Sequence, residues 1–272
     1  MRFSQSSFVY LNYPLQEAIR RLHNIGYQGI EVWGGRPHAY RRDLDGQVQE
    51  ITDILSDCGM VVCNFIPAQF RYPSILCSSN ENIRVSSVEY IKDAIDTAAR
   101  LGSPYVSLCP GMAIYGEDLN RAWNQLAKSI RELLSYSSSY DLTLLIEPAH
   151  PAESNVIRTV GEALKMIEDT KPGKLGILLD TGHIRLNQEN FLEAVSELRS
   201  VPFHIHIDDN NGDNDAHLIP GEGSIDLRSF ASALKRVSYG GFISAELAFQ
   251  YASDPDNAAK KTLIFLKRIF GS

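Results

Sequence analysis

Short runs of apolar residues alternate along this chain with longer segments in which apolar residues recur every three or four positions. The short runs predict buried strands, and the recurring pattern predicts amphipathic helices. The predicted strands cover residues 2–8, 29–33, 61–66, 105–108, 142–146, 175–180, 203–207 and 242–247. The predicted helices cover about 14–25, 45–58, 81–101, 118–139, 159–169, 189–198, 226–236 and 255–269.

Local signals support several of these boundaries. Pro14 is well suited to the first turn of a helix, and Gly26 to the residue that ends it. Between them, apolar residues form one stripe, at Leu15, Ala18, Ile19, Leu22 and Ile25. Thr159 and Glu162 have the spacing of a capping box, which predicts the start of the fifth helix.

Strands that alternate with helices predict right-handed βαβ units and a parallel sheet. Eight such units in 272 residues (272/8, or 34 each) suit a closed (β/α)₈ TIM barrel of the α/β class. No change of composition divides the units, so we predict a single domain over residues 1–272. The alternative is a doubly wound open sheet. No dinucleotide- or phosphate-binding glycine motif follows an early strand, and the Gly34–Gly35 pair indicates only a turn.

Four predicted strands end in a residue that can bind a cation. Glu147, Asp180, His206 and Glu246 end the predicted strands five to eight. A charge at the end of a buried strand is costly unless it is paired. The carboxyl ends of barrel strands meet at one mouth, so we expect these four side chains to lie together. Three carboxylates and one imidazole predict a site for Mn²⁺, Co²⁺ or Mg²⁺ rather than a thiolate zinc site.

Each of these residues has a simpler explanation by itself. Glu147 or Glu246 could form a structural ion pair, Asp180 could cap a turn, and His206 could be a hydrogen-bonded core histidine. The shared metal site is favoured because all four lie at the same end of consecutive units.

Further polar residues follow the same strands. Glu153 lies six residues after Glu147, and His183 three after Asp180, so both are candidates to bind a hydroxylated ligand. Trp33 at the end of the second strand could form an apolar wall, and His217 could reach a ligand from a long loop. We expect His204 to be structural and to point away from His206, and His150 to belong to the surface or scaffold.

Composition excludes some classes of protein. Hydrophobic residues make up 44% and charged residues 22% of the chain, which argues against disorder. A net charge of −7 disfavours nucleic acid binding. The chain has no long apolar run that predicts a membrane span, and its first residues lack the apolar core of a signal peptide. The four cysteines show no CxxC spacing and suit a reducing cytoplasm, where we expect the protein to be located.

Three motifs resemble the xylose-isomerase-like barrels, a sugar isomerase and epimerase group that also includes endonuclease IV. They are Gly29-Ile-Glu-Val-Trp-Gly-Gly-Arg-Pro-His-Ala39, Ile146-Glu-Pro with Glu153-Ser-Asn155, and Ile219-Pro-Gly-Glu-Gly223. The resemblance covers essentially the whole chain. It is closest to the fructoselysine 3-epimerases and looser to D-tagatose and D-psicose 3-epimerases.

The resemblance implies roles for individual residues. The metal ligands of the family match Glu147, Asp180, His206 and Glu246. Glu147 and Glu246 also match the two carboxylates that transfer protons, while Glu153 and His183 match contacts to substrate hydroxyls. One divalent metal ion is implied, Mn²⁺ or Co²⁺ before Ni²⁺ or Mg²⁺. Barrels of this group often pair through their helices, so a homo-oligomer is expected as well.

Two departures refine the resemblance. Gly212 occupies the place where simple ketose 3-epimerases carry an arginine, six residues after the histidine ligand. This favours a ketose linked to an amine over a free hexulose. Endonuclease IV has additional histidine ligands after strands three and four, where this chain reads Asn64-Phe-Ile-Pro67 and Cys109-Pro-Gly111. A trinuclear phosphodiesterase site is therefore not expected.

The function that we predict is metal-dependent 3-epimerisation of a ketose or ketose-amine through a cis-enediolate, with the two glutamates as acid and base. The alternatives are a ketose–aldose 1,2-isomerase or a sugar or inositol dehydratase on the same barrel, a phosphodiesterase, and a barrel that only binds sugar.

Overall fold

Eight parallel strands close into one barrel in chain order. A computed structural model describes residues 1–69 and 72–271. The strands are β1 (Arg2–Ser6), β2 (Gly29–Gly34), β3 (Val61–Pro67), β4 (Tyr105–Leu108), β5 (Thr143–Ile146), β6 (Leu175–Asp180), β7 (Phe203–Ile207) and β8 (Phe242–Ala245). Each pairs in parallel with the next, and β1 pairs with β8. The predicted TIM barrel is confirmed, and closure between β1 and β8 excludes the open sheet.

Helices surround the barrel and bury their apolar stripes against it. They are α1 (Leu15–Ile25), α2 (Val48–Asp57), α3 (Glu81–Arg100), α4 (Leu119–Ser137), α5 (Val160–Thr170), α6 (Thr181–Leu186), α7 (Phe191–Glu197), α8 (Leu227–Arg236) and α9 (Pro255–Phe270). Gly26 ends α1 with a φ of 106°, which a glycine adopts without strain. The capping box of Thr159 and Glu162 forms as predicted, with both hydrogen bonds present.

Helix α6 is an α-helix that the sequence did not predict; in addition, the first strand was predicted over 2–8 but ends at Ser6, where a 3₁₀ helix (Ser7–Tyr10) follows. Helix α6 is only six residues long and begins directly after β6. Its first residues are Thr181 and Gly182, which do not form an apolar stripe. Asp180 caps it, since its Oδ1 accepts a hydrogen bond of 2.9 Å from the backbone N–H of His183. The cap fixes the aspartate side chain at the mouth of the barrel.

The register of the strands sets the position of the candidate metal ligands along the barrel axis. Asp180 is the register partner of His206 on β7, and His206 is that of Ser244 on β8. The backbone N–H of Glu246 donates to Ile207 O at 3.2 Å, and that of Glu147 donates to Leu108 O at 3.0 Å. The ends of β5 to β8 therefore bring these side chains to one rim.

Candidate active site

The four predicted ligands meet above the carboxyl ends of the strands. The Nδ1 atom of His206 lies 2.9 Å from Glu246 Oε2, 3.7 Å from Asp180 Oδ2 and 3.7 Å from Glu147 Oε1. One donor atom from each of the four residues lies within 4.8 Å of the others. We refer to Glu147, Asp180, His206 and Glu246 as the carboxylate–imidazole cluster.

Glu31, which the sequence analysis did not select, lies directly beneath this cluster. It is fully buried on β2, and its oxygens lie 2.8 Å from His206 Nε2 and 3.2 Å from His204 Nε2. Asn64 Nδ2 also donates to it at 2.9 Å. A hydrogen bond from Nε2–H of His206 to Glu31 leaves Nδ1 as the atom that faces the cluster. A lone carboxylate inside an apolar strand was the signal in the sequence.

The side chain of His204 points in a different direction from the one that the sequence analysis predicted. It was expected to point away from His206, but both rings point into the barrel and both contact Glu31. Side chains two residues apart on a strand share a face, so the expectation applied the strand period wrongly. The ring of His204 contacts Glu31, and His204 is not among the residues that line the cavity.

The cluster fits a divalent cation. Asp180 Oδ2 is buried and has no hydrogen-bond partner, which is costly for a carboxylate oxygen unless something binds it. Burial, reinforced by the neighbouring carboxylates, raises the pKa of Glu147 to about 8 and that of Asp180 to about 7. A bound cation would relieve both penalties. Three carboxylates and one imidazole are donors suited to a hard divalent ion.

Glu246 differs from Glu147 in its electrostatic surroundings. Burial acts to raise the pKa of Glu246, but the nearby charge and hydrogen bond of His206 outweigh it and lower the pKa. The pKa of Glu147 moves upward because its burial prevails. The two carboxyl groups therefore differ in their tendency to hold a proton.

A cavity of about 850 Å³ opens over the cluster. Glu147 and Glu246 lie in its wall, and so do all four residues that the sequence analysis assigned to ligand binding, namely Trp33, Glu153, His183 and His217. The ring of Phe8 packs edge-on against Trp33 and tilted against Phe249, with 5.1 Å between the ring centroids in both pairs. One side of the cavity is thus aromatic, and the other carries the polar groups.

Asp215 and His150 also line the cavity, although the sequence analysis did not assign them to it. One oxygen of Asp215, Oδ2, lies 2.9 Å from His217 Nε2, 3.3 Å from His150 Nε2 and 3.6 Å from His183 Nε2. Glu153 lies farther from the rings, at 3.8 Å from His183 Nε2. His150 was expected at the surface or in the scaffold, but it lines the cavity.

Comparison with known proteins identifies the fold family. Residues 19–269 match the model of the xylose isomerase-like TIM barrel. The chain belongs to this family. It is 31% identical to the fructoselysine 3-epimerase of Shigella flexneri over 92% of this chain and 91% of that protein. It is 23% identical to the D-psicose 3-epimerase of Enterocloster bolteae over 72% of this chain and 71% of that one.

Solved structures of carbohydrate epimerases share the fold. The 3-keto-D-glucoside 4-epimerase of E. coli superposes with a TM-score of 0.84 at 18% identity, covering 98% of this chain and 99% of that one. The relatives by sequence establish the chain as an enzyme of the carbohydrate epimerase class. Among the residues that the structure describes, no helix has the length and apolar character needed to cross a membrane.

Proposed function

We propose that this protein is a metal-dependent 3-epimerase of a ketose or an amine-linked ketose of the fructoselysine type. The observation that carries the proposal is that Glu147 and Glu246 approach one imidazole, His206, from strands three positions apart around the barrel. Epimerisation at C3 needs two groups that exchange a proton with opposite faces of one carbon. Two carboxylates on separate strands can flank a ligand in this way.

Glu147, Asp180, His206 and Glu246 are the residues that would hold the metal ion, with Mn²⁺ or Co²⁺ as the first candidates. A divalent ion bound there would act as a Lewis acid on the C2 carbonyl, which makes the proton at C3 more acidic. Glu31 would keep the imidazole of His206 in one orientation through its hydrogen bond to Nε2.

The proton steps belong to the two glutamates. One of them takes the proton from C3, which gives the enediolate, and the other returns a proton to the opposite face. In the reverse reaction the two residues exchange roles.

The remaining residues of the cavity would bind the substrate. Glu153 and His183 lie beside Glu147 and would contact hydroxyl groups of the sugar, and His217 reaches the same region from the loop after β7. The volume of about 850 Å³ is near the upper end for small-molecule sites, roughly 300–1,000 Å³. Trp33 and its aromatic neighbours leave an apolar wall for a substituent beyond the sugar, which supports the amine-linked substrate.

The test is proton NMR of fructoselysine incubated in D₂O with the protein and Mn²⁺ or Co²⁺, with the metal removed before the spectrum. Deuterium at C3 and growth of a second epimer are expected. Exchange at C3 of free psicose or tagatose, but not of fructoselysine, would assign a simple ketose substrate. Exchange at C1 would instead indicate a 1,2-isomerase, and exchange at neither carbon would refute both.

The two-base scheme has its own test in Glu246→Gln. The substitution conserves volume and keeps an oxygen at the cluster, so we expect metal binding to be partly retained while epimerisation at C3 is abolished. Turnover like that of the wild type in this variant would contradict the scheme.

A further inference from the structure

The polar wall of the cavity has a centre, Asp215, to which the proposed reaction assigns no role. We propose that Asp215 is a positioning residue: one of its two carboxylate oxygens, Oδ2, holds the imidazoles of histidines from three different loops around the substrate. The proposal rests on the proposed function in one respect, namely that His183 and His217 contact the substrate.

The three rings come from three consecutive units of the barrel. His150 lies in the loop after β5, His183 in α6 after β6, and His217 in the loop after β7 that also carries Asp215. Their Nε2 atoms lie 3.3, 3.6 and 2.9 Å from Asp215 Oδ2. We call Asp215 and these three histidines the imidazole clasp. One carboxylate oxygen thus connects three loops at the mouth of the barrel.

The other nitrogen of each ring is fixed by a partner of its own. His150 Nδ1 accepts from Ala152 N at 3.3 Å, so its Nε2 carries the hydrogen and donates to Asp215. His183 Nδ1 lies 3.1 Å from Pro148 O and donates to it, which directs Nε2 toward the cavity. His217 Nδ1 donates to Glu246 O at 3.2 Å and lies 3.1 Å from Asp208 Oδ2. Asp215 and these partners together determine where each ring edge points.

Two features indicate that stability alone does not explain this arrangement. The side chain of Asp215 is only 10% exposed, and its buried Oδ1 has no hydrogen-bond partner among the described residues, which is costly. His217 has a φ of 41°, in the left-handed region that residues with a side chain rarely adopt. Strained backbone and unpartnered polar atoms are concentrated at functional sites, where the surrounding structure maintains them.

The test is Asp215→Asn, which keeps the size of the side chain and removes its charge. The matched control is Asp213→Asn, because Asp213 is exposed on the same loop and its Oδ1 accepts a local hydrogen bond of 2.9 Å from Asn214 N. A charge-assisted hydrogen bond is worth about 1.5–3 kcal/mol, which corresponds to roughly 10- to 100-fold. We expect kcat/KM of Asp215→Asn to fall by this factor, mostly through KM, and that of the control to stay unchanged.

The decisive readout does not depend on activity. Nitrogen-15 spectra of protein labelled at histidine report the protonation of each ring nitrogen in the Mg²⁺-loaded, diamagnetic protein. We expect the Nε2 signals of all three clasp histidines to shift in Asp215→Asn and to stay in place in Asp213→Asn. Unchanged histidine spectra in Asp215→Asn would overturn the proposal, whatever its kinetics.

A second measurement excludes a different role for Asp215. Metal content per chain after loading with Mn²⁺ is expected to be one in the wild type and in Asp215→Asn. Two ions in the wild type and one in the variant would overturn the proposal, since Asp215 would then be a metal ligand. If Asp215→Asn does not fold, His150→Gln removes one ring of the clasp, and shifted signals of His183 and His217 support the proposal while unshifted ones refute it.

Failure of the proposed reaction is distinguishable from failure of the clasp. Absence of exchange at C3 in the wild type removes the epimerase, whereas the histidine spectra still decide whether Asp215 connects the three rings.

Discussion

Glu31 offers the clearest test of how the interior of the barrel supports the site. Its carboxylate is fully buried, and Oε2 accepts from His206, His204 and Asn64 at 2.9, 3.2 and 2.9 Å. Burial acts to raise its pKa, but the charge of His206 and the hydrogen bonds from both imidazoles outweigh it and lower the pKa. The carboxylate is therefore ionised, and its partners depend on its charge.

Glu31→Gln conserves volume, so the effect of the substitution comes from charge and hydrogen bonding rather than from a cavity. The amide keeps one acceptor oxygen but presents N–H groups to donors that previously shared a carboxylate. Removing one partner of a buried ion pair costs about 3–5 kcal/mol. We expect the free energy of unfolding of the metal-free protein to fall by about that amount.

Loss of the hydrogen bond to Nε2 also releases the imidazole of His206. Losing the partner that orients a metal-binding histidine typically weakens metal affinity by roughly 10- to 100-fold. We therefore expect the affinity of Glu31→Gln for Mn²⁺ to be lower than that of the wild type by this factor.

Urea unfolding of the metal-free protein and calorimetric titration with Mn²⁺ measure the two effects separately. Glu50→Gln on α2 is the control, because Glu50 is an exposed glutamate in the same barrel unit, and its change should stay within about 0.5 kcal/mol. A loss below about 1 kcal/mol in Glu31→Gln, together with wild-type affinity, would refute the reasoning.

Two further predictions concern stability. The folded pKa values of about 8 for Glu147 and about 7 for Asp180 exceed their ordinary values of 4.5 and 3.8, so the unfolded chain releases these protons first. The free energy of unfolding of the metal-free protein should therefore fall as the pH rises from about 4 to about 8. Saturating Mn²⁺ should remove most of that loss, and urea unfolding with and without the ion measures both effects. An added Cβ at Gly176 would lie 2.2 Å from Pro202 O, whereas one at Gly161 in α5 would meet no atom within 4 Å. Gly176→Ala should cost about 3 kcal/mol or more, and Gly161→Ala should stabilise by about 0.5–1 kcal/mol; equal melting temperatures for the two variants would contradict this.

The sequence by itself determined the barrel fold and the position of the candidate site at the carboxyl ends of the strands. Apolar runs separated by amphipathic segments repeat eight times, and the boundaries agree with the structure to within a few residues except at short elements such as α6. Polar residues at the ends of β5 to β8 located the cluster, because parallel strands in a barrel direct their carboxyl ends to one mouth.

Only the tertiary structure decided which residues surround that cluster. Glu31 lies on β2, far along the chain from His206, and periodicity indicates which face of a strand is buried without indicating what lies across the barrel. Asp215 and His150 are in loops without periodic patterning, and their contact depends on how the loops after β5 and β7 fold over the mouth. The chemistry at the strand ends follows from local sequence, whereas its supporting contacts come from residues that are distant in sequence and adjacent only after the barrel closes.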